Sequence, residues 1–501
     1  MKLHEVKVYP SAAKLARAEQ LTWKISEVAE ARAPVDDAAR EAVIDRMIDN
    51  AAVAVAALEH RPVITAREQA RAHLRAQGAT LFGGSMSERV DAEWAAWANC
   101  VAVRELDMHD TFLGAEYAHP ADNIPPLLAV AQQCRRNGYD LLRAILTAYE
   151  IHIGLAKGIC LHQYKKDHIA HLCPATAAGL GALLGLATET IYQAVQHAVH
   201  VSFTTRQSRK GEISSWKAFA PAHSAKLAIE AVDRAMRGET SPSPIYEGED
   251  GVIAYMLGGA EAVYHVPLPE QGEPRRAILE SFTKEHSAEY QAQALIDIAF
   301  RMRRHISDFE QIERVIIHTS HHTHNVIGCG SGDPQKFDPA ASRETLDHSA
   351  MYIFAVALQD GFWHHVKSYA PERATRPDTV RLWRKIVTVE EPAWTGRYHK
   401  PDPSERAYGA LVEVIFRDGT KLTDELAVAN AHPAGERPFA RADYLRKFTS
   451  LVEGALADEE ARRFLSLVQR MPELSAVELL ELNPQADLLR PKRGARVGGI
   501  F

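Results

Sequence analysis

The segment YDLLRAILTAYEIHIGLAKG, residues 139–158, decides the fold. Leu141, Leu142, Ile145, Leu146, Tyr149 and Ile153 recur at helical spacing, the pattern of a helix with a buried apolar face. The same period runs through DDAAREAVIDRMIDNAAVAVAAL (36–58), IPPLLAVAQQCRRNG (124–138), CPATAAGLGALLGLA (173–187), ETIYQAVQHAVHVSF (189–203) and PAHSAKLAIEAVDRAMRGE (221–239). Asp36-Asp37 reads as a cap before the first of these, and Gly138 as a stop after IPPLLAVAQQCRRNG. The wealth of Ala and Gly predicts closely packed helices in an all-α domain. No fixed-period repeat of the solenoid type is present.

Outward from this region the texture changes. Prolines and glycines cluster in SPSPIYEGEDGV (241–252) and VPLPEQGEPRR (266–276), as at a domain boundary. Strand-like runs follow: IERVIIHTS (312–320), DTVRLWRKIVTVEE (378–391) and GALVEVIFRDGTKLTDEL (409–426). The last turns on Asp418-Gly419, a hairpin signal. Helical runs at 293–306 and 349–364 are interleaved, which predicts an α+β domain over residues 272–432. From 439 to 471 the pattern is helical again and is expected to rejoin the first domain. The expected fold is mainly α: a large all-helical domain from residues 1–271 with 433–501, plus the smaller α+β domain. The basic, Gly-rich tail LLRPKRGARVGGIF (488–501) is expected to be mobile.

Bulk properties exclude several classes. The chain has 501 residues, 46% hydrophobic and 25% charged, as in soluble two-domain proteins. A net charge of −7 argues against a nucleic-acid surface. No apolar run is long enough to span a membrane, and the opening residues lack the apolar core of a signal peptide. Five scattered cysteines with no CxxC give neither a disulfide framework nor an iron–sulfur or zinc signature, which fits a reducing cytoplasm. The 24 histidines are the unusual figure, since histidine moves protons near neutral pH.

Five stretches carry ionisable groups suited to chemistry. In ELDMHDTFLGAEYAHPADNIPP (105–126) the apolar helix AEWAAWANCVAVRE runs into Asp107, Asp110, Thr111 and His119. YKKDHIAHLCPATAAGLG brings Asp167 and His168 to a helix N-terminus, which attracts anions. TTRQSRKGEISSWKAFAPAHSAK holds Arg206, Arg209, Lys210, Ser214 and Lys217; Arg and Lys clusters clamp carboxylates, and a lysine entering apolar surroundings needs a reason. VIIHTSHHTHNVIGCG gathers His318, His321, His322 and His324, but no Cys, Asp or Glu stands at ligand spacing, and a strand divides them between two faces, so no metal is expected. In RETLDHSAMYIFAVAL, Asp347, His348 and Tyr352 head an apolar helix. Taken singly, each stretch also reads as a solvated or capping segment, so a helical binding scaffold remains the non-enzymatic alternative.

Together these blocks resemble the MmgE/PrpD family. The pattern D-x-x-D-T…H-P is met by Asp107, Asp110, Thr111, His119 and Pro120; a D-H block by Asp167-His168; G-E-x-S-x-W-K by Gly211, Glu212, Ser214, Trp216 and Lys217; and D-H-S-x-x-Y by Asp347, His348, Ser349 and Tyr352. HPAGERP (432–438) resembles the family's late H-P-x-G segment. The resemblance spans nearly the whole chain and is strongest to the 2-methylcitrate dehydratase members. It implies a helical domain under an α+β lid, a site between them, a cytoplasmic homodimer, a small tricarboxylate substrate and no cofactor. Cis-aconitate decarboxylases are the alternative branch. There a His-Pro begins the helix where this chain has Cys173-Pro174, and family members often carry histidine where Gln291 stands.

Dehydration of a tricarboxylate removes a weakly acidic proton beside a carboxylate and expels hydroxide, so it needs cations around the carboxylate, a base and an acid. Candidates for the charge work are Lys217, His168 and Arg209 or Lys210, and His119 is the first choice for acid or base, with Asp107 holding its tautomer or Asp110 sharing the proton work. Thr111, Arg209, Lys210, Ser214, Tyr352, Gln291 and His321 are the substrate-binding candidates.

Overall fold

The computed structural model describes residues 1–400, 402–486 and 499–500. The basic tail expected to be mobile falls mainly on 487–498 and 501, outside the described residues. The described chain is mainly helical, with only small sheets. Two apolar cores organise it. The larger draws on residues from Val6 to Ile278 and again from Tyr444 to Leu482. The smaller lies between Ala288 and Val414.

The large core is a bundle of the helices read from the sequence: Asp37–Ala56, Ala92–Glu105, Ile124–Gln133, Gly138–Gly158, Leu172–Leu184, Thr188–Ser202 and Trp216–Met236. Each fully buried Leu or Ile along them contributes about 2 kcal/mol of burial. The small residues let backbones approach: a Cβ at Gly179 would stand 2.9 Å from Ala148 Cβ on the neighbouring helix. Asp36 caps its helix by accepting the Ala39 N–H at 3.1 Å. Gly138 differs from expectation. The preceding helix ends at Gln133, and Gly138 opens the next one, capped by Asn137 through the Asp140 N–H at 2.9 Å. Glycine is required there by close approach, because a Cβ would meet Met471 O at 1.6 Å.

The small core wraps a four-stranded sheet. Ile312–Thr319 lies between Ile386–Glu390, parallel, and Ala410–Phe416, antiparallel, with Lys421–Leu426 on the outer edge. The Asp418-Gly419 hairpin forms as read, with Gly419 at φ +84°. The run 378–391 divides: Pro377–Trp383 is helical and only Ile386–Glu390 is strand, because Pro377 opens a helix whose Leu382 and Trp383 fill the small core. HTSHHTH likewise leaves the strand at Thr319, and His321–Val326 form a short helix capped by Ser320.

The chain then returns to the large core. Helix Arg441–Val452 packs on Asp37–Ala56. Arg46 ties three segments together: its guanidinium donates to Asp110 at 3.2 Å, to Ser281 O at 3.0 Å and to Tyr444 Oη. Lys447 does the same, reaching Asp49 at 2.6 Å, Met108 O at 2.6 Å and Lys284 O at 2.8 Å. The site loop, the exit from the large core and the return helix are thus fixed to one another. Among the described residues no helix is long and apolar enough to cross a membrane.

Candidate active site

Helix Ala92–Glu105 ends at the junction of the two cores. The chain reverses there through Asp107, a non-glycine residue in left-handed geometry at φ +49°. Such strain persists only where the surroundings hold it. Here two lysines do so. Lys284 Nζ lies 2.6 Å from Asp107 Oδ1, and Lys217 Nζ lies 3.0 Å from Oδ2. Lys217 also reaches both oxygens of Asp347, at 2.8 and 2.7 Å, and Arg343 stands 3.4 Å from the same carboxylate. All four members of this Lys284–Asp107–Lys217–Asp347 chain are buried. Burial alone would raise the Asp107 carboxyl, but the charges of Lys217, Lys284 and Arg104 outweigh it and hold the group well below the usual range. Asp347 is held at about 2: burial raises it, and Lys217 and His348 pull it down further.

Lys217 sits one turn before Pro221 in helix Trp216–Met236. Pro221 has no N–H to give the Lys217 carbonyl, so that intrahelical hydrogen bond is missing in the first turn.

The cleft above this chain is lined by Arg104, Asp107, Thr111, Tyr117, His119, His168, Arg206, Arg209, Glu289, Gln291, Val326 and His348. His119 Nδ1 lies 2.9 Å from the Asp110 carbonyl oxygen. A carbonyl only accepts, so Nδ1 carries the proton and Nε2 presents a lone pair. Burial, reinforced by Arg104 and Lys284, keeps the ring neutral far below its ordinary value. His168 is also kept neutral by burial, against the pull of Asp167 beside it at 3.1 Å. Asp167 in turn fixes Arg209, whose Nε lies at 3.2 Å. Thr111 Oγ1 donates to Ala118 O at 3.1 Å, and its backbone exchanges two hydrogen bonds with Phe282.

Three guanidinium groups therefore face the cleft. Among the described residues, Arg209 Nη1 and Arg104 Nε and Nη1 are buried with no hydrogen-bond partner. Buried donors are satisfied as a rule, so these point to an anionic ligand. Arg206 donates to Tyr117 Oη, whose ring packs on His168.

Of the residues expected from the sequence, Asp107, Thr111, His119, His168, Arg209 and Gln291 line the cleft, and Lys217 lies directly behind Asp107. Five are elsewhere. Asp110 is sealed beneath the loop, where Arg46, Tyr149 and the Ala121 N–H occupy its carboxylate; it shapes the loop and has no free oxygen for proton work. Tyr352 lies in the small core and donates to Ser368 O at 2.6 Å, because its helix turns that face inward. Lys210 and Ser214 are solvent-exposed. His321 is exposed and paired with Glu390 at 2.8 Å.

The sequence reading missed Arg104, Lys284 and Glu289. Arg104 had a signal, a charge in the last turn of an apolar helix. Lys284, fully buried between Asp107 and its own chain, had only the neighbouring SAEYQ segment to mark it. Asp107, Asp347 and His348 have atoms close enough to share a metal ion. The Lys217 ammonium already occupies the space between these carboxylates, so the donor set fits a lysine better than a divalent cation. Asp107, His109 and His119 are similarly close, but His109 Nε2 is bonded to Asp122 at 3.0 Å.

The fold and cleft define a two-core, mainly helical protein with a guanidinium-lined cleft where the cores meet. The MmgE/PrpD N-terminal domain matches residues 19–265 and the MmgE/PrpD C-terminal domain residues 286–473, so the chain belongs to the MmgE/PrpD family. Its relatives include the 2-methylcitrate dehydratase of Salmonella typhi, 26% identical over 76% of this chain and 78% of the relative. The mitochondrial 2-methylcitrate dehydratase of Yarrowia lipolytica is 25% identical over 75% of this chain and 73% of the relative. That of Escherichia coli K12 is 26% identical over 67% and 70%.

Proposed function

We propose that the chain is a hydro-lyase, a 2-methylcitrate dehydratase that forms 2-methyl-cis-aconitate and water within propionate catabolism. The observation that carries this reading is the pairing of a neutral His119, with Nε2 free, and three cleft-facing guanidinium groups. The names of the relatives point the same way.

Arg104, Arg209 and Arg206 hold the substrate carboxylates. The carboxylate beside the reacting carbon gains charge as the proton leaves, and cations fixed in a dry site stabilise that charge more than water would. His119 Nε2 takes the proton from carbon. The electron pair of that C–H bond becomes the new double bond, and hydroxide leaves from the neighbouring carbon. Asp107, locked by its two lysines, keeps Arg104 and the loop in place. In this reading side chains supply the positive field, and activity is independent of metal. Citrate, which differs by one methyl, is a slower substrate.

The test is a dehydration assay with 2-methylcitrate and citrate, with and without chelator, following ultraviolet absorbance of the conjugated alkene. Absorbance that rises regardless of chelator supports the reading. No signal with either substrate, or release of CO2 from cis-aconitate instead, overturns it.

A further inference from the structure

Expulsion of hydroxide needs a proton, and the groups above leave that proton without a source. The cleft holds few candidates. Asp107 is ionised between two ammonium groups, and the three histidines His119, His168 and His348 are all kept neutral by burial. Neutral imidazole is a poor acid. The remaining carboxyl in the cleft wall is Glu289.

Its setting is unlike that of the other acids. Among the described residues no ion pair reaches it. One oxygen, Oε2, accepts the Gln291 N–H at 2.7 Å, and its own N–H is anchored to Asp347 O at 3.2 Å. The side chain is thereby positioned from both ends while Oε1 is left for a ligand. Resting on the dehydratase reading, we propose that Glu289 is the catalytic acid that protonates the departing hydroxyl.

The step balances without a further reactant. The Glu289 O–H bond breaks, its proton bonds the substrate oxygen, and the C–O bond breaks with its electron pair on that oxygen, which leaves as water. His119 ends as imidazolium and Glu289 as carboxylate. Transfer of one proton from His119 to Glu289 after product leaves restores both.

The surroundings favour the protonated form. Burial pushes the carboxyl up to about 7, against the pull of Lys284. Asp107 adds to the rise and Lys217 opposes it. Lys336 and the hydroxyl of Tyr398, whose ring packs with Tyr408 outside the small core, also interact electrostatically with this carboxyl. Near neutral pH a substantial fraction of molecules therefore carries the proton.

The experiment measures pH profiles for the wild type, Glu289→Gln and Glu289→Asp, with thermal melts to confirm folding. The wild type is expected to lose kcat/KM as pH rises through about 7. Glu289→Gln is expected to lose roughly 10²–10⁴-fold in kcat with KM changed only a few-fold, and to lose that alkaline limb. Glu289→Asp restores part of the rate. A substrate analogue with fluorine in place of the hydroxyl needs no protonation to depart, so the Glu289→Gln defect should shrink on it, which a merely structural role would not produce. A folded Glu289→Gln with near wild-type kcat, or with an equal defect on the fluoro analogue, overturns the proposal. A wild type inactive on 2-methylcitrate and citrate instead overturns the dehydratase reading itself, before any variant is made.

Discussion

Lys217 and Asp347 face each other across the junction of the two cores, with the ammonium 2.8 and 2.7 Å from the two carboxylate oxygens. Both are buried. The pair bridges the small core to the large one. Removing one partner leaves the other charge buried and alone. Lys217→Met should therefore lower stability by about 3–5 kcal/mol in urea unfolding and abolish turnover. The double variant Lys217→Met with Asp347→Asn should recover most of the stability and none of the activity.

His119 accepts a proton only through Nε2, since Nδ1 is committed to the Asp110 carbonyl. His119→Asn preserves a donor to that carbonyl and removes the base. Steady-state assays should show kcat lower by roughly 10²–10⁴-fold with the melting temperature little changed. Unaltered kcat would exclude His119 from the proton transfer.

Arg104 and Arg209 differ in how they are held. Arg209 is anchored by Asp167, whereas Arg104 has only distant carboxylates, at 3.9 and 4.0 Å. Arg104→Gln should raise KM by roughly 10–100-fold, the value of a charge-assisted hydrogen bond, with a smaller stability cost than Arg209→Gln, which strands Asp167. Isothermal titration with the product and urea unfolding separate the two effects.

Among the described residues, Val326 is the one aliphatic side chain in a cleft wall of polar groups. On the dehydratase reading it is the wall against which the methyl group of 2-methylcitrate would rest. Val326→Ser should reduce the preference for 2-methylcitrate over citrate, read as the ratio of kcat/KM values, by about 10-fold.

A pH effect on stability follows from His162. Burial disfavours its charged form, but hydrogen bonds to Cys160 and Glu116 and the Glu116 charge outweigh burial and raise the ring from 6.5 to about 9. The protonated ring is favoured in the folded state. Its contribution is therefore complete below the ordinary value of 6.5 and disappears as pH rises towards 9. Wild-type stability should fall by up to about 3 kcal/mol across that window, and His162→Gln should show a flatter profile.

The helical half was legible because its signals are local: apolar spacing within one helix, and small residues where helices touch, as at Gly179. The loop from Asp107 to His119 was legible because ionisable groups crowd into it. What failed needed three dimensions. Gly138 looked like a helix stop, yet its role is to let Met471 approach from more than 300 positions away. Tyr352 sits beside Asp347 and His348 in sequence, but a helix turns it into the small core. Lys284 and Glu289 bear on the site only because the chain, on leaving the large core, passes directly over Asp107.

Arg46 and Lys447 lock the outgoing strand of chain and the returning helix to the same body. Further ties hold the small core against the large one: Arg343 donates to Glu105 O at 2.9 Å and to Leu106 O at 3.1 Å, and Ser342 Oγ donates to Ile213 O at 2.7 Å. The seating of Asp347 on the Lys217 ammonium is therefore fixed by several anchors at once, so its geometry is a property of the whole seam rather than of the pair.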